Sequence, residues 1–106
     1  MVVLCFYVPA DALEQVKAAV FAAGAGRIGR YDNCCWQVAG EGQFRPLAGS
    51  NPTLGSHDKL EHVAEYKVEM VCEEQFIGAA VRALRDAHPY EEPAWHVLEQ
   101  VGGLSG

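Results

Sequence analysis

Val2-Val3-Leu4-Cys5-Phe6-Tyr7-Val8-Pro9-Ala10-Asp11 decides the fold, because a strand signal gives way to a helix signal within ten residues. The β-branched and aromatic run over 2–8 predicts a buried central strand. Beyond it, Leu13, Val16, Val20 and Ala23 recur at helical spacing while Glu14, Gln15 and Lys17 take the other face, which predicts an amphipathic helix over about 11–23. Asp11 reads as its N-cap, with Glu14 completing a capping box, and Gly24 reads as its C-cap.

The same pair of elements recurs 64 residues on. From His62 to Glu73 apolar and charged residues alternate, as in a half-exposed strand, and Phe76, Ile77, Ala80, Val81 and Leu84 then keep helical spacing up to His88-Pro89. Leu4 falls on Val68, Phe6 on Met70, Leu13 on Ile77, Val16 on Ala80 and Val20 on Leu84. Between the halves, residues 34–39 have strand composition, 40–46 read as a bend or bulge, and 47–61 form a long loop rich in turn formers. Residues 94–101 supply a last strand. The order β-α-β-β-α-β predicts an α+β, ferredoxin-like split β-α-β sandwich with both helices on one sheet face. It occupies residues 1–101 as a single domain, followed by a flexible tail over 102–106.

A chain of 106 residues falls in the band of one domain. Eight basic residues scattered among fourteen acidic ones, net charge -6, form no Lys/Arg stripe, which argues against nucleic acid and anionic membranes. The run over 2–8 is too short to span a bilayer and has no signal-peptide pattern, so a cytoplasmic location is expected. Cys5, Cys34, Cys35 and Cys72 are then expected as thiols that pack as small hydrophobes.

Chemistry concentrates in Ala87-His88-Pro89-Tyr90-Glu91-Glu92-Pro93-Ala94, a stiff connection bracketed by prolines. It is either a ligand site or a structural turn with solvated glutamates. Gly24-Ala25-Gly26-Arg27-Ile28-Gly29-Arg30-Tyr31 is no phosphate loop, because it closes a helix where such a loop opens one, but Arg27 and Arg30 remain candidates for holding an anion or an acidic partner. The topology sends the 47–61 loop and the His88–Glu92 corner to one end of the sheet and the glycine-arginine loop to the other. His57 and His62 could there join His88, Glu91 and Glu92 as nitrogen and oxygen donors to a divalent ion, although no recognised ligand spacing is present and four surface histidines would look the same. Neither a nucleophile-base set nor a matched acid-base pair is legible, which weighs against an enzyme.

His88-Pro89-Tyr90-Glu91-Glu92-Pro93-Ala94, the 24–31 loop, Cys34, Gly40-Glu41-Gly42-Gln43-Phe44-Arg45-Pro46 and Gly49-Ser50-Asn51-Pro52 with Gly55 together resemble the inserted domain of YqfO-type proteins. These are relatives of the NGG-interacting factor, often labelled homologues of a GTP cyclohydrolase. Trp36 and Cys35 stand where that family suggests phenylalanine and serine. The resemblance implies a fold like the PII signalling and CutA proteins, assembly as a homo-oligomer like the trimer of those proteins, and a stand-alone version of the insert. It also implies that the family's dinuclear metal ligands, carried by flanking parts of the longer proteins, have no counterparts here.

Three expectations follow. The first is a PII/CutA-like regulatory or binding module that holds a small ligand or protein partner at a subunit cleft, through His88, Tyr90, Glu91 and Glu92, with Arg27 and Arg30 reaching in from a neighbour. The second is a CutA-like divalent-metal binder using His88 with Glu91 or Glu92 and His57 or His62. The third is a metal-dependent hydrolase of the YqfO type. No cofactor is implied beyond a divalent ion.

Overall fold

The computed structural model describes residues 1–101; the tail expected over 102–106 lies outside the described residues. Four strands, β1 (Val2–Pro9), β2 (Trp36–Phe44), β3 (Glu61–Cys72) and β4 (Trp95–Glu99), form one antiparallel sheet in the order β2-β3-β1-β4. Helices α1 (Leu13–Ala22) and α2 (Glu74–Ala87) pack side by side on one face of it. This is the ferredoxin-like split β-α-β sandwich.

Strand parity explains why the helices choose that face. Leu4, Phe6 and Val8 of β1 pair with Met70, Val68 and Tyr66 of β3, and the core closes against Val16 and Val20 of α1 and Ala80 and Leu84 of α2. The apolar positions that coincide under the 64-residue shift thus meet in one core. Alternate residues point the other way. Val3, Cys5 and Tyr7, with Trp36 and Val38 of β2, Lys67, Glu69 and Val71 of β3, and His96 and Leu98 of β4, make a second face that no helix covers. Trp36 is 62% exposed there and Leu98 54%.

Three local expectations are corrected. The capping box of Asp11 and Glu14 does not form: a 3-10 turn at Ala10–Ala12 precedes α1, and no side chain caps either helical start. The bulge expected over 40–46 is absent, since β2 pairs with β3 residue for residue from Trp36↔Glu69 to Phe44↔Glu61. Gly40 and Gly42, which read as a break, lie within an unbroken edge strand. The last strand is shorter than the 94–101 run, ending at Glu99. Gly24 does close α1, at φ 114°, a conformation that an L side chain rarely adopts. All four cysteines are free, Cys5 and Cys72 buried.

Candidate functional site

β4 stops at Trp95 where β1 continues, which leaves the ladder groups of Tyr7 in need of other partners. The Tyr7 amide donates to the carbonyl of Ala94 at 3.1 Å, and Nε2 of His88 donates to the carbonyl of Tyr7 at 2.7 Å. On the other side of the ring, the amide of Tyr90 donates to Nδ1 of His88 at 3.1 Å. Both ring nitrogens are therefore occupied by main chain, and the two partners together specify a neutral imidazole with its proton on Nε2. His88 is 6% exposed, and burial pushes its pKa below the ordinary 6.5 against the opposing pull of the Tyr7 carbonyl. His88, expected among the ligand contacts and metal donors, braces the corner to β1 through these two bonds.

The long loop is folded back on that corner. The Asn51 amide donates to Oε2 of Glu91 at 2.8 Å, and Oγ1 of Thr53 donates to the carbonyl of Pro89 at 2.8 Å. Ser50 closes a turn onto the Leu47 carbonyl, and the Asp58 amide returns to Pro46, so the loop is tied at its tip and at its base. Glu91 is consequently engaged with Asn51, whereas no hydrogen bond involves Glu92 among the described residues.

Between loop, corner and sheet end lies a cleft of about 290 Å³. Its floor is the end of the uncovered sheet face, Tyr7, Phe44, Val63 and Glu65; Pro52, Thr53 and Leu54 form one wall, and Tyr90, Glu91 and Glu92 the other. The Tyr90 ring sits 5.0 Å from His88 and 6.2 Å from Phe44, centroid to centroid. Its hydroxyl oxygen is buried without a hydrogen-bond partner among the described residues. Burial first, then the negative charges of Glu65 and Asp11, raise the Tyr90 pKa, so the phenol stays protonated at neutral pH. The Glu65 carboxylate lies against the backbone of Gly42, where any side chain would collide with it, and burial raises its pKa above 4.5.

Of the residues expected from the sequence, Tyr90, Glu91 and Glu92 line this cleft. Arg27 and Arg30 do not: they are exposed on a tight turn closed by the Ile28 and Tyr31 main chain, at the end of the sheet where Gly26 bonds Val71. His57 bonds the Ser50 carbonyl within the loop, and His62 faces Glu41 across the β2-β3 ladder at 3.5 Å. Among the described residues no three His, Cys, Asp or Glu side chains gather into a group that could hold a metal ion. Tyr7, Phe44 and Glu65 were missed by the sequence reading. The signal was present, since Tyr7 and Glu65 share the parity of the wet face, but nothing local marks Phe44 as their neighbour. No helix among the described residues is long and apolar enough to cross a membrane.

Comparisons with known proteins bear on the same elements. No protein-family model matches the chain. The Mycobacterium leprae protein named GTP cyclohydrolase 1 type 2 homolog is 47% identical over 95 residues, covering 90% of this chain and 25% of that protein. The crystal structure of a Bacillus cereus protein related to NIF3 superposes at a TM-score of 0.79 with 33% identity, over 92% of this chain and 24% of that one. CutA1 from a psychrotrophic Shewanella superposes at a TM-score of 0.69 with 17% identity, over 97% of this chain and 83% of that one, which supports the fold alone. The chain spans about a quarter of the length of the curated relatives it matches. It is thus similar to about a quarter of the length of NIF3-related proteins and has a CutA-like fold.

Proposed function

We propose that this chain is a PII/CutA-like binding module of the YqfO type, that it assembles as a homo-oligomer, a trimer, and that its corner cleft takes a small ligand or a segment of a partner protein where subunits meet. The observation that carries the reading is the tether of Asn51 and Thr53 to Glu91 and Pro89, which holds a surface loop as the wall of a formed cleft instead of leaving it free. Supporting the assembly, the uncovered sheet face presents Trp36, Val38 and Leu98 to water, and a second copy laid on it would bury them. Tyr7 and Glu65 belong both to that face and to the cleft floor, so a neighbour docked on the face stands at the cleft rim. The hydrolase label of the longer relatives is not carried onto these residues.

Light scattering tests the assembly and a thermal-shift screen of small metabolites tests the cleft. A ligand at about 100 times its dissociation constant raises stability by about 2.7 kcal/mol. A strictly monomeric protein would remove the subunit cleft from the proposal.

A further inference from the structure

The corner cleft carries a one-sided charge. Three carboxylates, Glu65, Glu91 and Glu92, line it, and among the described residues no lysine, arginine or histidine does. Glu65 is the informative one. It sits on the floor partly out of water, and it takes part in none of the ion pairs among the described residues; Lys67, two positions along the same strand, is paired with Glu69 at 3.4 Å. A partly desolvated carboxylate without a cation is costly to keep ionised, and a cation arriving from outside removes that cost.

The remaining surface suits an organic cation better than a bare one. Tyr7, Phe44 and Tyr90 supply aromatic walls, on which an ammonium or guanidinium group gains cation-π attraction that a neutral group of the same size lacks. A bare metal ion would find no three converging His, Cys, Asp or Glu donors among the described residues. An anion would meet carboxylates and no basic side chain, and the nearby Asn51 amide is already given to Glu91.

We infer that the cleft recognises a guanidinium or ammonium group on a short apolar stem, with Glu65 as its counter-ion and Tyr7, Phe44 and Tyr90 around it. The inference rests on the cleft reading proposed above and specifies its ligand class. The shared chemistry could come from a free small amine or from an arginine or lysine side chain of a partner.

The test uses the whole chain at neutral pH, with n-butylguanidinium as probe, n-pentanol and valerate as neutral and anionic controls, and an acetylated arginine amide to represent the side-chain source. Amide chemical shifts locate each probe and titrations give its affinity. The expected result is that butylguanidinium perturbs Tyr7, Phe44 and Tyr90 and binds about tenfold more tightly than pentanol, that valerate does not bind, and that Glu65→Gln abolishes the preference. Tighter binding of the arginine amide than of butylguanidinium assigns a peptide source, and the reverse assigns a free amine; both support the inference. Glu65→Asp, which keeps the charge, retains the preference, and Glu65→Ala, which removes it, serves if Glu65→Gln does not fold. Pentanol binding at the same amides as strongly as butylguanidinium overturns the cation while leaving the cleft reading standing. If no probe binds, the inference falls, and the metabolite screen decides the cleft reading separately. Binding of butylguanidinium whose preference over pentanol survives Glu65→Gln, or Glu65→Ala in its place, overturns the role of Glu65 and with it the inference.

Discussion

The imidazole of His88 takes, 2.7 Å from the carbonyl oxygen of Tyr7, the place in the β1 ladder that one more residue of β4 would have filled. A side chain 81 positions away thereby completes a main-chain pattern, and the corner that walls the cleft is fixed to the central strand. Replacing the ring by one of similar shape without nitrogens leaves both the Tyr7 carbonyl and the Tyr90 amide unpaired in a buried setting. His88→Phe is therefore expected to lower the unfolding free energy by about 2 kcal/mol, measured by chemical denaturation. An unchanged midpoint would mean that water replaces both bonds.

The same ring makes stability depend on pH. Burial lowers the folded-state pKa of His88 below 6.5, so between the two values the unfolded chain holds more protons than the native one. The His88 contribution is complete above about pH 6.5 and is lost as pH falls from there through the folded value; protonation of Nδ1 also breaks the bond from Tyr90. Denaturation midpoints measured from pH 7.5 to 5 are expected to fall for the native sequence, and this component is expected to vanish in His88→Gln.

Glu65 acts with the opposite sign. Its raised pKa means that the native state holds the proton more firmly than the unfolded chain, so its contribution is greatest below pH 4.5 and is lost as pH rises through the folded value. At neutral pH, Glu65→Gln is expected to leave the free protein as stable as before or more so, read from thermal melts with and without the substitution. A clear loss of stability would reveal a cation already paired with this carboxylate.

The loop tether is a local matter. Glu91 and Asn51 are exposed, so Glu91→Gln is expected to change global stability by less than about 1 kcal/mol, and Glu92→Gln by less than about 0.5 kcal/mol. Hydrogen exchange at the Asn51 amide is the sensitive readout, and it is expected to accelerate in Glu91→Ala and more so with Thr53→Val added. Exchange unchanged by both would show that the loop is held by its own turns.

At the other end of the sheet, Gly24 adopts φ 114° and an added Cβ would stand 2.9 Å from the Phe76 ring. Gly24→Ala is expected to cost about 1 to 3 kcal/mol through backbone strain and displacement of that ring. On the open sheet face, Trp36→Glu is expected to leave the fold intact while shifting assembly toward monomer in light scattering.

Much of the architecture was legible because it rests on periodicity. The runs over 2–8 and 62–73 and the helical spacing of Leu13, Val16 and Val20 against Ile77, Ala80 and Leu84 follow from which side chains can leave water together. The same reasoning gathered the long loop and the His88 corner at one end. It failed where a choice depended on partners distant in sequence: Gly40 and Gly42 looked like a break, but nine consecutive pairs with β3 hold them in register. Asp11 looked like a cap, but the turn at Ala10–Ala12 sets the entry to α1 without it.

The order of elements, the apolar face of each and the end of the sheet at which the polar corner emerges were determined by the sequence alone, because local propensity and amphipathic spacing suffice for them. Only the tertiary structure decided the role of each polar group there. A histidine that reads as a ligand becomes a brace once β4 ends one residue short, and a glutamate that reads as solvated strand surface becomes the floor of a cleft once a loop folds over it. Those outcomes depend on hydrogen bonds and burial between segments tens of residues apart, which no local pattern encodes.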